Sequence, residues 1–263
     1  MNAPPRITVR CILASSLAMW FALGAGIADA CTTLCLRTGG RIVFGKNYDW
    51  TVEDGLLLVN KRGVTRRSDQ PSAAAAARWV SKFGSVTFNQ YGRDFPSGGM
   101  NEAGLVVELM WAEGSQYPRP DARPAVDCLE WIQYQLDTAR TVAEVIASDA
   151  RVRIASDIPL HYLIADRQGS VAAIEFIHGK LVAHTGESLP LPVLANDLYA
   201  DSLRFVEKWG SARTDFASPA RFARAADRVQ KFQPKSDPVA CKFARFAWPP
   251  WIFPAPLRCW PLI

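Results

Sequence analysis

The chain has 263 residues, 49% of them hydrophobic and 21% charged, with a formal net charge of +5. That length is enough for one sizeable folded domain, and that balance is ordinary for a folded chain, so disorder is not the default. The positive charge is scattered, with only Arg62, Arg66 and Arg67 close together, so it reads as a solvated face and no nucleic-acid partner is expected.

Residues 1–30 read as a secretory signal peptide. Arg6 and Arg10 supply a positive start, Cys11 to Leu23 an apolar run, and Ala28-Asp29-Ala30 a small-x-small cleavage site. That run is too short for a membrane span, and no later apolar run reaches the roughly 18 residues required. The processed protein is therefore expected in the periplasm or secreted, with no stable membrane span. Taking 30 from 263 leaves 233 residues, and the first of them is Cys31. A terminal Cys carries its thiol beside an α-amine that titrates at about 7.7 to 8.0, so nucleophile and base are one residue. A lipid anchor is the weaker reading of this Cys, because Ala28 and Asp29 depart from the aliphatic-then-small pattern of a lipidation signal.

Cys31, Cys35, Cys128, Cys241 and Cys259 remain after processing, and the oxidising compartment leaves disulfides open. Cys31 and Cys35 are not expected to pair, since four strand steps separate them by roughly 13 Å. No CxxC or HxxxH spacing occurs, so a structural zinc is not expected, and the chemistry read at Cys31 needs no cofactor.

From Cys31 to Phe44 the pattern is strand, turn, strand, with Gly39-Gly40 at the turn. Leu56 to Val64, Val80 to Tyr91 and Leu105 to Trp111 read as further strands, and Ala73 to Ala77 as a helical turn or surface loop. Asp127 with Glu130, then Thr141 with Glu144, are capping-box pairs that open helices running to about Ala139 and Ala147. A meander follows: His161 to Asp166, Val171 to Ile177 and Lys180 to His184, joined at Gln168-Gly169 and His178-Gly179. Leu203 to Trp209 and Pro219 to Phe232 read as helices, the second with Pro near its first turn. This order suggests two antiparallel sheets with helices outside them, an α+β domain over 31–239. Residues 240–263 are rich in Pro and Trp and follow neither period; they read as an irregular tail, such as a truncated or frame-shifted chain would end on, with a native tail also open.

Cys31-Thr32-Thr33, Phe44 to Trp50, Met100 to Leu105, Val193 to Asn196 and Ser218 to Phe222 occur in an order and spacing that resembles the choloylglycine hydrolase and penicillin V acylase family of N-terminal-nucleophile amidases. The resemblance implies a four-layer αββα sandwich. In that family, strands after the helix matching Pro219 to Phe232 complete the second sheet, so with this tail the second sheet is expected to be incomplete and the tail readily clipped. It implies that Cys31 is nucleophile and base, that Asp49 orients the terminal amine, that Asn196 donates to the oxyanion and that Arg221 favours the thiolate. Lys46 stands where the family usually has Arg, and Trp111 where it has Asn or Tyr beside the oxyanion; both are expected to touch substrate. The implied substrates are small N-acyl amides: conjugated bile salts, penicillin V or N-acyl homoserine lactones.

Each of these residues also has an ordinary reading, as turn, cap, surface charge or core aromatic. Cys128 with His161 could form a papain-like pair, although a buried structural thiol is the commoner outcome. His161, His178 and His184 read as surface or edge residues; Glu108 and Glu175 could be paired acids, but read more simply as partners of Arg or as solvent-facing. The rival to the amidase is a non-catalytic exported protein, either a lipid-anchored binding module or a degenerate amidase fold. The sequence leaves monomer and homo-oligomer both open.

Overall fold

Two antiparallel sheets stack face to face between two layers of helices. The computed structural model describes residues 31–38, 41–50, 54–70 and 75–232; the expected signal peptide, the Gly39-Gly40 turn, the start of the alanine run and the tail lie outside them. In chain order the strands are β1 (Thr32–Thr38), β2 (Arg41–Asn47), β3 (Leu56–Asn60), β4 (Thr65–Arg67), β5 (Arg78–Val80), β6 (Ser85–Asn89), β7 (Pro96–Asn101), β8 (Val106–Trp111), β9 (Ala125–Val126), β10 (Arg153–Ile154), β11 (Leu160–Ala165), β12 (Val171–Ile177), β13 (Lys180–Thr185) and β14 (Val193–Leu194). The helices are α1 (Cys128–Thr138), α2 (Val142–Ala147), α3 (Tyr199–Trp209) and α4 (Ser218–Gln230).

The large sheet runs β13-β12-β11-β8-β7-β6-β3 and the small one β14-β1-β2. Strand alternation sorts the core into two. Val107, Leu109, Tyr162, Ile164, Ile174 and Phe176 face α1 and α2, while Val106, Met110, Leu163, Ala165 and Ala173 face the small sheet. By the same alternation Glu108, His161 and Glu175 point between the sheets. On β1, the Thr33 hydroxyl bonds to Met110 of the large sheet while the Thr32 hydroxyl accepts from Arg221 of α4. Cys31, two residues from Thr33, therefore faces the large sheet.

Local chemistry fixes the framing elements. The Asp127 side chain accepts from Leu129 N–H and the Glu130 side chain reaches back to the Asp127 N–H, so the capping box of α1 closes in both directions. The meander β11-β12-β13 forms in antiparallel register, and its second turn needs His178 at φ 52° and Gly179 at φ 74°, two consecutive positive values of the kind a tight hairpin demands.

Three expectations need correction. Leu56 to Val64 and Val80 to Tyr91 are not single strands, because the hairpin β4-β5 peels away from the large sheet between β3 and β6. β7 was not expected at all, its Pro96 and Gly98-Gly99 reading as punctuation. The glycines are there because the space is taken: a Cβ at Gly98 would overlap the Glu108 carboxylate, and one at Gly99 the Val86 carbonyl. Finally, α3 begins at Tyr199 rather than Leu203, from an N-cap, Leu198, that makes no side-chain cap bond.

Candidate active site

Cys31 lies at the start of β1 with 1% of its surface exposed, and it forms one wall of a pocket of about 430 Å³. Apart from Asp127, the other walls are apolar and aromatic. Tyr48, Trp50, Tyr91, Phe95 and Trp111 contribute rings, and Leu109, Leu129, Ile158 and Leu160 the aliphatic lining. Trp50 and Trp111 have ring centroids 5.8 Å apart, and the Trp50 indole N–H donates to the Tyr91 hydroxyl. The Cys31 Sγ lies 3.8 Å from the Asp49 carbonyl oxygen, a weak thiol contact.

Arg221 ties the site together. Ser218 and Arg221 stand one turn apart at the start of α4. The guanidinium, buried at 5% exposure, donates to the Cys31 carbonyl at 2.6 Å, the Thr32 hydroxyl at 3.1 Å, the Asn196 Oδ1 at 2.7 Å and the Phe216 carbonyl at 3.0 Å. Arginine has donors only, so the bond to Oδ1 fixes the orientation of the Asn196 amide. Its Nδ2 then donates to the Trp111 carbonyl at 3.0 Å. An amide nitrogen carries two protons, and among the described residues the second has no acceptor.

Lys46 is held on the other side of the nucleophile. Its Nζ sits 3.1 Å from Glu108 Oε2, 3.1 Å from the Ser97 carbonyl, and 4.4 Å above the centre of the Tyr48 ring. It is not among the residues lining the pocket. Glu108, expected opposite an Arg or solvent, thus pairs with a lysine and is buried. Breaking a buried pair from one side typically costs about 3 to 5 kcal/mol, because the remaining charge is left uncompensated. Glu108→Gln is expected to lose stability of that order in urea unfolding; a loss under about 1 kcal/mol would show that the pair is well solvated.

Burial pushes the Cys31 thiol up, and this outweighs the opposing effects of Lys46, a backbone hydrogen bond at Asp49 and the Arg221 guanidinium; the Asp49 carboxylate adds to the rise. The Cys31 thiol is therefore neutral near pH 7 and needs a base to become a nucleophile. Cys35 and Cys128 are also free and buried, and burial pushes each up to about 12.

The Cys128 and His161 pair does not form. Both ring nitrogens of His161 are occupied, by Glu175 and by the Ala195 carbonyl, while the Cys128 thiol meets Asp127 and Ser156. His161, expected at a surface or edge, has no exposed surface.

Of the six expected site residues, Cys31, Asp49, Asn196 and Arg221 come together around one point, and Trp111 joins them through its carbonyl and the pocket wall. Lys46 acts on that point through its charge and stacks on the Tyr48 ring. Sequence reading did not single out Tyr48, Trp50, Tyr91 or Phe95. The first two lie in the Phe44 to Trp50 segment and could have been found there; the other two carry no local signal. Among the described residues no group of His, Cys, Asp or Glu is placed to hold a metal ion, and no helix is long and apolar enough to cross a membrane.

Residues 31–229 match the family model described as linear amide C–N hydrolases, choloylglycine hydrolase family. A penicillin V acylase from Pectobacterium atrosepticum is 29% identical over 242 residues, 81% of this chain, and the chain spans 63% of that relative's length. Among solved structures, a penicillin V acylase from Agrobacterium tumefaciens superimposes with a TM-score of 0.69 at 27% identity, covering 82% of this chain and 70% of that one. A conjugated bile acid hydrolase from Clostridium perfringens gives 0.65 at 17% identity, covering 80% and 76%, and at that identity shows shared fold alone.

Proposed function

Because this chain belongs to the choloylglycine hydrolase family of linear amide C–N hydrolases, with the N-terminal-nucleophile hydrolase fold that its αββα layers display, we propose that it is an exported amidase acting on small N-acyl amides through a thioester on Cys31. Residues 1–30 are removed on export to the periplasm or beyond, and 31–239 form the catalytic unit. The observation that carries this reading is that Arg221 links Asn196 to Cys31, which lines an apolar pocket.

In this reading the acyl part of the substrate occupies the aromatic pocket, with the scissile carbonyl over Cys31. The α-amine exposed by cleavage behind Ala30 takes the thiol proton, and Asp49 orients that amine. The sulfur attacks the carbonyl carbon, and the oxygen that becomes negative receives the remaining Asn196 Nδ2–H. The protonated amine returns its proton to the leaving nitrogen, the C–N bond breaks, and water then hydrolyses the thioester. Lys46 and Arg221 lower the cost of the thiolate, while Trp111 shapes the acyl site.

A panel of phenoxyacetyl amides including penicillin V, glycine- and taurine-conjugated bile salts, and N-acyl homoserine lactones tests the substrate. Release of free amine from at least one class is expected; processed, folded protein inert on all of them would favour the non-catalytic reading. Asn196→Ala is expected to lower kcat by about 10² to 10³, or 2.7 to 4 kcal/mol, the usual effect of losing one oxyanion donor. Equal kcat in wild type and Asn196→Ala would remove Asn196 from the chemistry.

A further inference from the structure

Among the polar residues that the large sheet points toward the small one, Glu108 is engaged by Lys46, while His161, Glu175 and His184 form a chain that ends beside Asn196. Glu175 on β12, with no exposed surface, sits between His161 on β11 and His184 on β13. Its Oε1 is 3.2 Å from His161 Nδ1 and accepts the Tyr199 backbone N–H at 2.8 Å; its Oε2 is 3.0 Å from His184 Nε2. The other ring nitrogen of His161, Nε2, is 2.7 Å from the Ala195 carbonyl oxygen.

A carbonyl can only accept, so Nε2 carries a proton. Burial pushes the Glu175 carboxyl up, yet the hydrogen bonds from His161 and His184 outweigh it and hold the group at about 2. Glu175 faces the other ring nitrogen, Nδ1, and so holds the buried ring with its Nε2–H aimed at the Ala195 carbonyl.

The peptide that His161 holds is the one from which Asn196 projects. Its carbonyl takes the His161 Nε2–H, and its N–H donates to the Ser218 hydroxyl at 2.8 Å. A peptide unit is planar, so fixing both groups fixes its rotation. Resting on the oxyanion role given to Asn196 above, we propose that His161, held in place by Glu175, is a positioning residue for the amidase reaction. It locks the Ala195–Asn196 peptide so that the Asn196 amide already points at the developing oxyanion. Such donors stabilise a transition state only when pre-aimed, and a misplacement of about 1 Å costs on the order of 10²-fold.

The test uses the processed enzyme with a substrate it cleaves. His161→Leu removes the donor to the Ala195 carbonyl, whereas His161→Gln can keep an N–H there. For His161→Leu, kcat per folded molecule is expected to fall about 10- to 100-fold with KM little changed, and His161→Gln is expected to stay within a few-fold of wild type. A purely structural role would lower the melting temperature but leave kcat per folded molecule intact. That result, or an equal loss in both variants, overturns the proposal. If His161→Leu does not fold, or the wild type is inactive on every amide, ¹⁵N NMR of the wild-type ring decides. A protonated Nε2 at neutral pH supports the proposal, and an unprotonated Nε2 overturns it. An inactive wild type counts against the amidase reading, which the ring signal does not depend on.

Discussion

Cys31→Ala is expected to abolish amide hydrolysis, lowering kcat/KM by roughly 10⁴ to 10⁶, the scale seen when a nucleophile that works as part of a unit is removed. The fold is expected to survive, with a stability change within about 1 kcal/mol, because the Sγ makes only a weak contact at 3.8 Å and borders the pocket. Arg221 reaches the Cys31 carbonyl, which the substitution keeps. The pH profile gives an independent sign. Since burial raises the thiol, the sulfur does not ionise by itself near neutral pH, and the α-amine must be neutral to take its proton. The wild-type kcat/KM is therefore expected to rise as pH passes through the amine's range, about 7.7 to 8.0 for an unperturbed group. Full activity in Cys31→Ala would move the nucleophile elsewhere, with Cys128 the next thiol to test.

The second large effect concerns processing. Ala30→Tyr would disrupt the small-x-small site Ala28-Asp29-Ala30 and leave the Cys31 nitrogen inside a peptide bond, where it cannot accept a proton. The uncut protein is expected to be inactive to within the detection limit, although the pocket and Arg221 are unchanged. Trimming it in vitro to begin at Cys31 is expected to restore activity. An unprocessed chain that hydrolyses amides at the wild-type rate would show that the base is another group.

Much of this was legible in the sequence because it is written locally. The capping box of α1 needs only Asp127 and Glu130, and the β1-β2 and β12-β13 hairpins need only alternation and a turn. The site residues were legible for a different reason, as short motifs in a fixed order. What stayed hidden depends on partners far along the chain. Gly98 belongs in a central strand because Glu108 fills the space above it, and Glu108 is there because Lys46, 62 positions earlier, holds it. No window around Pro96 to Asn101 contains that information. His161 reads as an edge histidine because its partners, Glu175 and Ala195, are 14 and 34 residues away. The start of α3 lacked a cap signature, and the β4-β5 hairpin interrupts runs whose composition remains that of a strand.

The central claim is that the mature N-terminal Cys31 becomes acylated. Mass spectrometry of an acid-quenched reaction, digested with a protease that works at acid pH so that the acyl group stays on sulfur, tests it most directly, since the peptide that begins at Cys31 reports both processing and acylation. The expected result is a peptide that begins at Cys31 and carries the substrate's acyl group. An active enzyme whose peptide still bears residues ahead of Cys31, or whose acyl group sits on the Cys128 peptide, would contradict the account.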